Sequence, residues 1–119
     1  MNPNLIYVAA VVVVAYFLYQ RLTVQRPAPA AEVLAKIKAG ARIIDVRTPG
    51  EFSGGAYRKA KNIPLADLPG RLGDLGPKDK PIVLYCASGS RSSRAARILK
   101  KAGFTDIVNA GGLGGMPRG

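Results

Sequence analysis

The chain has 119 residues, with 18 Lys and Arg against 7 Asp and Glu, one cysteine and no histidine. A single cysteine excludes an intramolecular disulfide, and without histidine the usual zinc ligand sets are missing, so neither a structural metal nor another cofactor is expected. The formal charge of +11 favours anionic partners without naming one, since nucleic acid, anionic lipid and small oxyanions are all drawn to such a surface.

Residues 5–19 carry no charge and include the run Val11-Val12-Val13-Val14, with Leu22 and Val24 able to extend the apolar face. This reads as a single transmembrane helix within residues 1–24. It is shorter than the roughly 20 apolar residues that span comfortably, so little tilt is expected. Tyr7, Tyr16 and Tyr19 suit the interfacial depths. A cleaved signal peptide needs basic residues before the apolar stretch, whereas Arg21 and Arg26 follow it. The positive-inside tendency then places the remainder in the cytoplasm, where a reducing environment suits an unpaired thiol. Residues 25–30, with Pro27 and Pro29, form a short stiff linker, leaving residues 31–119 as one small domain.

Residues 31–39 are predicted as a helix, with Val33, Leu34 and Ile37 inward, Glu32, Lys36 and Lys38 outward, and Gly40 at its exit. A strand over residues 42–46 follows, centred on Ile43 and Ile44. Thr48, Pro49 and Glu51 read as a helix start with proline at the first helical position. Residues 63–65 are extended, and a weaker helix over residues 65–75 is broken by Pro69, Gly70 and Gly73. Ile82-Val83-Leu84-Tyr85 has the length and composition of a strand buried on both faces. Residues 91–102 place Ala95, Ile98, Leu99 and Ala102 at helical spacing, with Gly103 ending the helix. Residues 106–108 can add a last strand. Strands and helices alternate, which implies an α/β domain with a parallel sheet.

Between the buried strand and the amphipathic helix lies Tyr85-Cys86-Ala87-Ser88-Gly89-Ser90-Arg91-Ser92-Ser93. A small-residue loop here curls so that backbone N–H groups converge on one point, and the helix dipole adds partial positive charge. Such a site stabilises a thiolate without a histidine, lowering a cysteine pKa to about 7 or below. The bland reading of Cys86 as a small buried hydrophobe ignores Arg91, a basic residue at a helix start, which is unhelpful there unless it faces an anion. Cys86 is therefore the candidate nucleophile.

These residues resemble the rhodanese, or thiosulfate sulfurtransferase, family of single-domain proteins. The resemblance rests on Ile44-Asp45-Val46-Arg47, Glu51-Phe52, Ala60-Lys61-Asn62-Ile63-Pro64-Leu65, the Cys86 loop through Ser92, and Gly111-Gly112, in order and at fitting spacing. It implies a doubly wound parallel sheet flanked by helices, with the active loop at the sheet's carboxyl edge. It also implies a reaction: the Cys86 thiolate takes the outer sulfur of thiosulfate or a related donor, sulfite leaves, and the persulfide passes its sulfur to a thiol, cyanide or protein acceptor. Ala87, Ser88, Gly89, Ser90, Arg91 and Ser92 would hold the donor and the persulfide. Asp45 and Arg47 resemble the family's rim pair, either contacting substrate or acting structurally, with Asp45 bracing the loop and Arg47 pairing with Glu51.

Two departures stand out. Gly55-Ala56-Tyr57-Arg58-Lys59-Ala60 replaces a histidine-containing segment with a basic rim, which can steer donor anions, and the family's closing helix is missing after Gly111-Gly112, so a less well covered core is expected. Phosphatases and arsenate reductases share the implied fold, but their cysteine-to-arginine loop is one residue longer than the stretch from Cys86 to Arg91. A persulfide carrier or interaction module with little free turnover, tethered to the membrane, is the alternative from a different class. Nucleic-acid binding is not expected, because Phe52, Tyr57, Tyr85 and Phe104 are scattered without a stacking pattern.

Overall fold

A computed structural model describes residues 2–25 and 27–118, with the side chains of residues 20–25 outside the description. The first helix, α1, spans Pro3–Gln25, and its large apolar side chains from Leu5 to Tyr19 are all exposed. The membrane span expected from residues 1–24 is not supported: among the described residues no helix is long and apolar enough to cross a membrane. The apolar run over residues 5–19 rises only about 22 Å, short of a hydrocarbon core of roughly 30 Å.

Helix α2 covers Ala30–Lys38, with Glu32 in its first turn and Lys36 and Lys38 in its last, each complementing the helix dipole. Gly40, at φ +93°, turns the chain into strand β1, Arg42–Asp45. Helix α3, Pro49–Ser53, is short but closed by a full capping box: the Thr48 hydroxyl accepts from the Glu51 N–H while the Glu51 carboxylate accepts from the Thr48 N–H. Strand β2 is only Lys61–Asn62. The broken helix expected over residues 65–75 is two 3-10 segments, Leu65–Gly70 and Leu72–Leu75, anchored by the fully buried Leu68 and Leu75.

Strand β3, Ile82–Cys86, is buried along its whole length and leads into α4, Ser90–Lys101. Strand β4 runs Ile107–Gly112, longer than the expected residues 106–108. Asn109, Gly111 and Gly112 are poor strand formers, and the extension is held by pairing with β3, with a register irregularity opposite Leu84 and Tyr85. The sheet is parallel throughout, in the order β2-β1-β3-β4, as the alternation of elements implied.

The two-residue period of β3 divides the core. Ile82, Leu84 and Cys86 point to the α4 side, joining Ile44, Ala95, Leu99 and Phe104. Val83 and Tyr85 point to the α2 side, joining Val33, Ile43, Val108 and Met116. Helices thus cover both faces, and every parallel strand ends at the same edge, where Asp45, Cys86 and Gly112 lie. The linker runs beside β4, with the Ala28 N–H donating to Asn109 O at 2.8 Å, so prolines 27 and 29 blunt part of that sheet edge.

Candidate active site

Cys86 is the last residue of β3, and Gly89 turns the chain into α4 in the left-handed region, at φ +105°. That turn aims the Gly89 N–H at Cys86 Sγ, 2.9 Å away. On the other side, Ser92 Oγ lies 3.6 Å from Sγ and donates to Gly89 O at 3.0 Å, tying the loop to the first turn of α4. Burial is the largest influence on the thiol and raises its pKa. The Ser92 N–H and hydroxyl and the N–H groups of Gly89 and Ser88 outweigh it, so the net shift is downward. The nucleophile is thereby biased toward the thiolate with no base beside it.

The loop rests on glycine. A Cβ on Gly112 would stand 2.6 Å from the Ala87 carbonyl oxygen, and one on Gly89 would meet Gly111 Cα at 3.6 Å. The Gly111-Gly112 landmark is therefore a platform that lets the loop descend onto the end of β4. Cys86 has no exposed surface, while Ala87, Ser88 and Ser90 are exposed above it.

Two ion pairs flank the loop, and neither is the one expected. Arg91 Nη1 and Nη2 donate to Glu51 Oε1 and Oε2 at 2.6 and 2.9 Å, a bidentate pair across 40 residues. Arg91 is thus held by a carboxylate rather than open to an anion. The expected Arg47–Glu51 pair does not form, because Thr48 is still extended, at φ −66° and ψ 159°, and four-residue spacing gives a shared face only within a helix. Arg47 instead turns back on Asp45: Nε donates to both carboxylate oxygens at 3.0 Å, Nη2 to Oδ2 at 2.7 Å, and the backbone N–H to Oδ1 at 2.9 Å. Asp45 is fully buried and Arg47 nearly so. Arg47 Nη2 also donates to Gly55 O at 2.7 Å, and its guanidinium lies 5.7 Å from the centre of the Tyr85 ring.

Sequence reading missed Tyr85, whose hydroxyl accepts from the Tyr57 N–H at 2.9 Å. Burial, with the Asp45 carboxylate adding to it, pushes the Tyr85 phenol up to about 12. It also missed Asn62, whose amide donates to the carbonyls of Asp45 and Arg47 at 3.0 and 2.9 Å and fixes the exit from β1. Arg58, Lys59 and Lys61 are exposed, as a basic rim requires. A groove of about 890 Å³ between the linker and α4 includes none of the Cys86 loop. The loop closes around the sulfur with backbone N–H groups.

A family model, the Rhodanese-like domain, matches residues 29–115. An uncharacterized protein of Bacillus subtilis, YqhL, is 49% identical over 72 residues, covering 60% of this chain and 56% of that protein, so this chain spans little more than half of that relative's length. The thiosulfate sulfurtransferase PspE of Escherichia coli is 38% identical over 71 residues, covering 59% of this chain and 68% of that one. Among solved structures, a rhodanese with anions from E. coli superposes with a TM-score of 0.59 at 34% identity, covering 65% of this chain and 94% of that chain. With the family's model matching most of its length over the fold and loop described above, this chain belongs to the rhodanese-like domain family.

Proposed function

We propose that this protein is a sulfurtransferase using thiosulfate or a related small anionic donor. The Cys86 thiolate attacks the donor's outer sulfur, a new S–S bond forms, and the donor's own S–S bond breaks. With thiosulfate, sulfite departs with the bonding pair, leaving a Cys86 persulfide. The supporting observation is the Gly89 N–H aimed at Cys86 Sγ from 2.9 Å, with the backbone N–H groups of Ser88 and Ser92 also favouring the thiolate. Backbone N–H groups of the loop can hold the negative charge of the terminal persulfide sulfur without any proton transfer. Cys86 is the only cysteine, so no second thiol of the chain can resolve the persulfide, and the sulfur passes to an external thiol, cyanide or protein acceptor.

A carrier role with little free turnover is the second reading, favoured by the complete burial of Cys86 beneath its loop. Treating the full chain with thiosulfate separates the two. A mass gain of one sulfur on Cys86 with rapid thiocyanate formation from cyanide supports the enzyme, and the same gain with slow thiocyanate formation supports the carrier. Retention of both by Cys86→Ser would overturn sulfur transfer through this thiol.

For α1 we propose attachment to a bilayer, with the domain on the cytoplasmic side. The large apolar side chains from Leu5 to Tyr19 are each more than half exposed, and a solvated helix of that composition is unfavourable. Membrane fractionation tests this, since release of the whole chain by alkaline carbonate would count against insertion.

A further inference from the structure

The chain carries an excess of positive charge, yet its two ion pairs beside the loop are each internally neutral. Asp45 neutralises Arg47, and Glu51 engages both terminal nitrogens of Arg91. Glu51 is itself held in place, because its Oε1 also accepts from the Thr48 N–H and hydroxyl at 3.1 Å each. A donor whose charge lies next to the transferable sulfur must therefore compete with a preorganised carboxylate for Arg91, and an additional negative charge is repelled by that carboxylate at close range.

We propose that Glu51 sets the donor selectivity of the loop: by occupying Arg91 it disfavours dianionic thiosulfate relative to sulfane-sulfur donors bearing a single negative charge, such as thiosulfonates. The inference rests on the sulfur-transfer reading above. Both donors complete the same step. The Cys86 thiolate bonds to the outer sulfur, the donor S–S bond breaks, and the electron pair leaves with sulfite from thiosulfate or with a sulfinate from a thiosulfonate. The carboxylate is a permanent competitor near neutral pH, since hydrogen bonding from Arg91, followed by that from Thr48, brings Glu51 down to about 2.

The test compares the full-length wild type, Glu51→Gln and Glu32→Gln, measuring kcat and KM for thiosulfate and for methanethiosulfonate with cyanide as acceptor, at low salt and neutral pH. Glutamine keeps a side-chain acceptor for the cap of α3 and removes the charge. Glu51→Gln is expected to lower the thiosulfate KM by about tenfold, and that for methanethiosulfonate by less than about threefold, with kcat little changed. Glu32→Gln removes an exposed carboxylate from α2 and leaves the Arg91–Glu51 pair in place, so its ratio of the two KM values should match the wild type. Equal shifts for both donors in Glu51→Gln, a rise in its thiosulfate KM, or a matching change in Glu32→Gln would overturn the selectivity role and leave sulfur transfer standing. Failure of the wild type to form a persulfide with either donor would overturn both.

Discussion

The Gly89 N–H points at Cys86 Sγ from 2.9 Å, so the turn that starts α4 is also what favours the thiol's ionised form. Together with the Ser88 and Ser92 donors it outweighs burial, and the Cys86 pKa falls below its ordinary value. A lowered pKa means that thiolate persists to lower pH than in a free cysteine, and that reaction with donor slows only when pH drops through the lowered value. The ultraviolet absorbance of the thiolate, with Cys86→Ser as baseline, should titrate with a midpoint below that of a free cysteine, and the rate of persulfide formation should follow the same midpoint. A midpoint at or above that of a free thiol would mean that burial, not the amides, governs this sulfur.

Gly112 controls the height of the loop. Alanine there puts a Cβ 2.6 Å from the Ala87 carbonyl oxygen, and because that contact is with backbone, the loop itself must shift. The amides then lose their aim at Sγ, and losing one well-placed donor to a developing charge costs on the order of 10²-fold in rate. Gly112→Ala should reduce kcat/KM for thiosulfate by between about ten- and a hundredfold and raise the Cys86 pKa, with the fold retained in circular dichroism. Gly114→Ala is the control, since a Cβ there meets nothing within 4 Å. Equal losses in both variants, or an unchanged thiol titration in Gly112→Ala, would remove Gly112 from any positioning role.

The parts of this molecule that announce themselves in sequence are those fixed by local chemistry. Strand β3 is an apolar run between a charged turn and a small-residue loop, α4 has a clear amphipathic period, and Thr48 with Glu51 spells out a cap. The Cys86 loop is legible for the same reason, its glycine and serines standing between strand and helix. Residues 109–112 are not, because Asn109, Gly111 and Gly112 become strand only through pairing with β3. The ion pairs are hidden for a different reason. Arg91 meets Glu51 across 40 residues, a contact made by the fold and by no periodicity. Arg47 and Glu51 have spacing that suggests a pair, but the extended Thr48 between them cancels it.

Asp45 and Arg47 then carry the sharpest stability prediction. Asp45 is fully buried, Arg47 is 6% exposed, and the pair lies where β1 leaves the sheet toward α3. Hydrogen bonding to Asp45 is the largest influence on Arg47 and holds its pKa above the usual arginine value against the opposing effect of burial, and a guanidinium is basic enough to stay charged when that partner is removed. Asp45→Asn therefore leaves a buried positive charge that the Gly55 carbonyl and the Tyr85 ring compensate only in part. Urea unfolding should show a loss of about 3 kcal/mol, as for other buried pairs deprived of one partner. Asp45→Leu combined with Arg47→Met removes both charges, and should be more stable than Asp45→Asn if the unpaired cation is the cause. A double variant no more stable than Asp45→Asn would instead assign the loss to the bracing of the β1 exit, where the Arg47 N–H donates to Asp45 Oδ1.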